Sequence, residues 1–147
     1  MTDVREQILA RYFAVVADAD PTVTIRRNWV GVSDDNRPAA MFWDGTADVE
    51  PADIGRSARR DVMHMMLRPA LMLLPFSDPA GFTAKVSSWS RLVIPSVRGD
   101  STLAALTANA TGAIFEGLDI VPHPAAPQAI VANLRFAFPC VLRISNL

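Results

Sequence analysis

The chain has 147 residues, half of them apolar, enough to bury one ordinary core without disulfides or metals. Its formal net charge of −1 gives no basic footprint for nucleic acid and no acidic tail for a basic partner. The single cysteine, Cys140, excludes an intramolecular disulfide and a multi-cysteine zinc site.

The opening MTDVREQILARYF carries acidic residues and no long apolar run, so it does not read as a signal peptide. Asp3 and Glu6 stand at capping-box spacing, and Val4, Ile8, Tyr12 and Val15 follow at helical intervals. Thr22 to Val32 reads as a strand with Val23, Ile25 and Trp29 on one face, and Pro38 to Trp43 as a second. The polar turn SDDNR between them makes a hairpin the natural expectation. The segment DGTADVEPADIG has no periodicity and carries Asp44, Asp48, Glu50 and Asp53, as an exposed loop does. Residues 57–74 read as strand, and Pro69 argues against a helix there and for a bend.

After the turn FSDPAG, residues 79–98 form the main amphipathic helix, with Phe82, Val86, Trp89 and Val93 at steps of three and four. Arg98-Gly99-Asp100 is a turn into a short helix that points Leu103 and Leu106 inward. Residues 113–121 make a strand, and PHPAAP an extended loop. In the last segment every even position from Ile130 to Ile144 is apolar, the alternation of a strand with one buried face. Straight, such a strand runs about 50 Å, longer than the roughly 40 Å breadth of a domain of this size. Pro139, which cannot donate to a ladder, places that strand at an edge or at a bulge. The expected architecture is one α+β domain spanning 1–147, a four- or five-stranded, mostly antiparallel sheet with amphipathic helices on one face.

The catalytic inventory is thin. His64 lies in an apolar strand and His123 between prolines, and neither has a metal-ligand or triad pattern around it. GAIFEG has the glycine spacing of a phosphate loop, but Leu118 and Asp119 stand where Lys and Ser/Thr are required. Asp44, Asp48, Glu50 and Asp53 lack the spacing and glycine pivot of a calcium loop. No enzyme activity, cofactor or metal is expected, and no membrane span, since the most apolar run is interrupted by His64, Arg68 and Pro69. Apolar residues on both faces of several strands point instead to self-association.

RNWVGVSDDNRPAAMFWDG resembles the first hairpin of bacteriophage tail terminator (tail-completion) proteins, with Arg-Pro at the start of the second strand and Asp-Gly at its end. MHMMLRPALMLL is similar to their next strand, DSTLAALTANATGAIFEGL to their short helix, turn and strand, and ANLRFAFPCVL to their closing strand. Ala70, the turn ANATG and the approach PHPAAPQ depart from the family pattern. The resemblance implies a homo-oligomeric ring, usually of six subunits, at the head-proximal end of a phage tail. It implies as partners the ring's own copies, the tail tube protein and the head–tail connector or stopper protein, with DNA passing unbound through the lumen. Synthesis in a bacterial cytoplasm and residence in the virion follow. On this reading Asn133, Arg135, Pro139, Arg143 and Arg68 are the candidate subunit interface. Asp44, Asp48, Glu50 and Asp53 are the candidate lumen- or connector-facing loop. A head-completion (stopper) protein of the same particles is the alternative. A third, of a different class, is a small cytosolic enzyme or ligand-binding protein using His64 with Asp61 or His123 with Asp119.

Overall fold

A computed structural model describes residues 3–28, 38–49, 62–74, 79–123 and 126–143. Three helices, α1 (Val4–Ala19), α2 (Pro79–Arg98) and α3 (Ser101–Leu106), accompany five strands. These are β1 (Thr24–Arg27), β2 (Ala39–Val49), β3 (Val62–Leu74), β4 (Ile114–His123) and β5 (Ala126–Arg143). The strands form one sheet in the order β1-β2-β3-β5-β4, and its helix-covered face carries the core, so the fold is α+β. All neighbours are antiparallel except β1 and β2, which run parallel, Thr24 beside Ala39 and Arg27 beside Phe42. The expected hairpin is therefore corrected: β2 runs in the direction of β1 rather than against it.

The long alternating segment is β5, and it is a central strand, not an edge. Its first part pairs with β4, from Ala126 beside His123 to Ala137 beside Ile114. Its last part pairs with β3, from Ala132 beside Leu73 to Arg143 beside Val62. Only residues 132–137 have a neighbour on both sides among the described residues. The two partners are thus staggered along β5, and a strand of 18 residues is what the stagger requires. The β3–β5 register runs unshifted past Met66 beside Pro139, so there is no bulge at this proline. Pro139 instead lies beyond the reach of β4, where β5 has a strand neighbour on one side alone among the described residues and a missing donor is tolerated. The first expected strand, 22–32, is strand only at Thr24–Arg27; Trp29 and the rest of 29–32, Ile144 and residues 57–61, also assigned to strands above, lie outside the described residues. The loop expected at PHPAAP is replaced by strand pairing that continues to His123 and resumes at Ala126.

Period two on β5 and period 3.6 on the helices meet in the core. Leu134, Phe136, Phe138, Cys140 and Leu142 of β5 are buried with Leu67, Leu71 and Leu73 of β3 and Phe42 of β2. Tyr12 of α1 lies over them, its ring 5.2 Å from Phe42, 5.8 Å from Phe136 and 4.8 Å from Phe138. Such tilted and edge contacts each contribute about 1 kcal/mol beyond burial. The Tyr12 hydroxyl, fully buried, has no hydrogen-bond partner among the described residues, and burial raises its pKa. From α2, Trp89, Val93 and Val97 fill the adjoining space, and the helix continues past Pro95 to Arg98. No helix among the described residues is long and apolar enough to cross a membrane.

The helices are fixed by local caps and long-range ion pairs. Asp3 accepts from the Arg5 amide at 2.8 Å and caps α1. Glu6 does not complete the box; its carboxylate binds the Arg27 guanidinium, 21 residues away. Asp100, the last residue of the turn 98–100, caps α3 through the Leu103 amide and takes both arms of Arg11 at 2.9 and 2.7 Å. It thereby ties α1 to the α2–α3 turn. Lys85, the chain's one lysine, joins α2 to Asp20 at 3.1 Å and to the Thr22 hydroxyl at 2.7 Å. Burial works to raise the Asp20 carboxyl, but the Thr22 hydroxyl, the Lys85 ammonium and the Thr22 amide together hold it below the usual range.

The Asp100 carboxyl is held below its ordinary 3.8 mainly by the Arg11 guanidinium. A depressed folded-state value stabilises above the ordinary pKa and ceases to as pH falls through the folded value. Asp100→Ala is expected to cost about 1–2 kcal/mol at pH 7 from the lost cap and ion pair. Urea unfolding of both proteins should show that difference intact at pH 5 and shrinking below about pH 4.

Candidate functional site

The sequence-derived interface residues lie on the sheet face away from the helices. The unbroken register puts Arg68 of β3 across from Ala137 of β5, and Arg135 of β5 across from Ala70. Asn133, Arg135 and Pro139 share this face with Arg68, since alternate residues of β5 point into the core, but Pro139 is itself buried and is corrected as an interface candidate. Arg143 is exposed at the far end of the same strand, beside Val62. Toward the other end the face is apolar and closed, with Met41, Leu74 and Val131 buried and Trp43, Met72 and Val121 packed on them.

Two arginines organise the polar part. Because Ala137 is small, the Arg68 side chain passes over β5 and donates from Nε to Glu116 of β4 at 3.2 Å. Its other arm lies 3.8 Å from Asp48 of β2. Arg135 reaches Asp119, also on β4, at 2.9 Å. All of these side chains are at least a third exposed except Glu116 at 31 %, so each pair contributes little to stability and more to the pattern of charge.

Each arginine lies against a glycine at a strand irregularity. The β2–β3 register shifts between Trp43 and Thr46, and Gly45 there has φ +69°. A Cβ on Gly45 would fall 2.1 Å from the Arg68 carbonyl oxygen, a backbone atom that cannot step aside. The β4–β5 register shifts between Phe115 and Gly117, whose φ is +133°, and a Cβ there would meet only the Arg135 guanidinium, at 2.7 Å.

The β2 irregularity also corrects the acidic loop. Residues 44–49 are strand, and Asp44 and Asp48 leave it on opposite faces. Asp44 accepts from Arg27 Nε at 2.7 Å on the helix side, whereas Asp48 stands exposed near Arg68. Glu50 and Asp53 lie outside the described residues. Arg27 thus bridges Glu6 of α1 and Asp44 of β2. The rim holds a cleft of about 280 Å³ lined by Asp3, Arg5, Glu6, Asp44 and Gly45. Arg5 beside Asp3 and Arg27 beside Glu6 hold those two carboxyls below their usual range, so neither is poised to carry a proton near neutrality.

The remaining candidates separate. His64 is half-buried on β3 beside Val141, on the face away from the helices, and Asp61 lies outside the described residues. Asp119, the proposed companion of His123, is engaged by Arg135. Among the described residues no three His, Cys, Asp or Glu side chains gather as a metal site.

The feature that the sequence left unremarked is the edge strand β4. Ile114 and Phe115 are each 39 % exposed and Ile120 is 52 % exposed. They occupy both faces of a strand whose outer side has no neighbour among the described residues. The signal was present in AIFEGLDIV, apolar at odd and even positions alike, with a glycine inside. No protein-family model matches the chain, and no curated protein does.

Replacing Gly45 by alanine is expected to destabilise the chain by more than about 3 kcal/mol, through the backbone clash and the left-handed φ. Gly117→Ala, also strained, meets the mobile end of a side chain and should cost less. Equilibrium denaturation of the two variants checks that order.

Proposed function

We propose that this protein is a structural ring subunit of a phage or phage-derived particle, terminating the tail tube and offering the surface on which the head connector docks. The observation that carries the reading is the β4 edge: a strand with exposed Ile114, Phe115 and Ile120 whose outer side has no neighbour among the described residues. Soluble domains hide such an edge or pair it. The ordered resemblance of four segments to tail terminator proteins gives the self-association its context. A ring subunit needs a heterologous contact that closes under rotation and no reaction centre. It also needs a lumen that does not grip DNA, and a chain of net charge −1 is suited to that.

Of the candidate interface residues, Asn133, Arg68, Arg135 and Arg143 face outward and matter for assembly in this reading, whereas Pro139 is buried and does not; Leu134 and Phe136, in the core, hold the subunit together. The acidic contribution to lumen or connector reduces, among the described residues, to Asp48, because Asp44 is bound to Arg27 inside the subunit.

Light scattering with negative-stain microscopy over a range of concentrations tests the reading. Closed rings with a hole wide enough for duplex DNA, about 20 Å in order of magnitude, are the expected result, and rings that bind the tube protein rather than the portal side favour terminator over stopper. A discrete dimer without a hole contradicts it.

A further inference from the structure

Among the described residues the sheet ends in β1 on one side and β4 on the other. We infer that β4 of one copy pairs with β1 of the next, so that the sheet continues from subunit to subunit; this rests on the ring assembly proposed above. Three independent features of the two edges fit each other.

The first is direction. β1 and β2 are parallel, and each later neighbour in the order β3, β5, β4 reverses, so β4 runs opposite to β1. A second copy that continues the sheet with its helices on the same side therefore meets β4 with an antiparallel β1, the pairing that is more stable per residue. The second is the apolar pattern. On β4, Leu118 and Ile120 are opposite Leu134 and Ala132 and so lie on the helix side; on β1, Ile25 is opposite Ala40 and lies on the helix side too. Placing Ile25 opposite Ile120 covers the most exposed large apolar side chain in the described residues with another half-buried one.

The third is charge. That register sets exposed Arg26 opposite Asp119, both on the face away from the helices, with Glu116 along the same acidic strand. Arg135 already engages Asp119, and a carboxylate has two oxygens with which to accept from two arginines. A two-fold pairing of β4 with β4 would instead set acidic strand against acidic strand and would stop at two copies. The occupant that fits is a second copy presenting β1.

Cysteine substitution reads the contact directly. Residues opposite each other in an antiparallel ladder have Cα atoms about 5 Å apart, within the span of a disulfide. The native thiol Cys140 is 1 % exposed and does not compete. Mild oxidation of Arg26→Cys mixed with Asp119→Cys is expected to give covalent dimers, neither variant giving them alone, and the double variant a ladder of higher multiples. Ile120→Lys, a change at an exposed position, should abolish the oligomer at concentrations where the parent chain assembles and leave the circular dichroism unchanged. Dimers from Asp119→Cys alone would overturn the proposal in favour of a two-fold contact. An oligomer that survives Ile120→Lys and yields no 26–119 bond would overturn this contact and leave the ring standing. A parent chain monomeric at every concentration would overturn both.

Discussion

The staggered pairing of β5 is the constraint on which the rest of the subunit depends. β4 takes one side of it over residues 126–137 and β3 takes the other over 132–143, so the strand joins β4 to the β1-β2-β3 part of the sheet. Where the two pairings overlap, the inward residues are Ala132, Leu134 and Phe136, all buried. Tyr12 of α1 packs on Phe136 and on Phe138 just beyond it, which fixes where the helical layer sits on the sheet. The small Ala137 at the end of the overlap lets Arg68 cross to Glu116 on the other face. One strand thus sets the core on one side and the charge pattern on the other.

The ion pairs act as tethers between layers rather than as sources of large stability. Arg27 joins α1 to β2, Arg11 joins α1 to the α2–α3 turn, and Lys85 joins α2 to the end of α1. Lys85 and Asp20 are the least exposed of these, at 14 % and 5 %, and the Thr22 hydroxyl completes their hydrogen bonding, as a buried pair demands. With these acids committed inside the subunit, the surface that stands out is the apolar edge β4 and the arginine–acid array beside it. That is the division of labour expected of a building block.

What was legible in the sequence is what has a short period. The even positions 132–142 of β5 and the stripe Val86, Trp89 and Val93 of α2 depend on residues within a turn or two, and both are buried as read, although Val131, Ala137 and Pro139 are buried on the opposite face of β5 as well. What was not legible depends on distant partners. Glu6 reads as half of a capping box, yet Arg27 outcompetes the local amide for it. Asp44-Gly45 reads as the end of a strand, whereas Gly45, at φ +69°, lets β2 bulge and continue to Val49. The parallel direction of β1 has no local signature, because the same two short strands would read alike in either orientation. Pro139 reads locally as the mark of an edge strand or a bulge, yet β5 is central and unbulged there, because among the described residues β4 ends before this proline is reached.

The stagger has a direct consequence for backbone protection. Amides of residues 132–137 sit between two strands, whereas those of 126–131 and 138–143 have one partner strand among the described residues. Native-state hydrogen exchange resolved along β5 therefore tests the central claim. The account predicts slowest exchange at 132–137, falling toward both ends of the strand. Uniform protection across β5, or a maximum at either end, would contradict it.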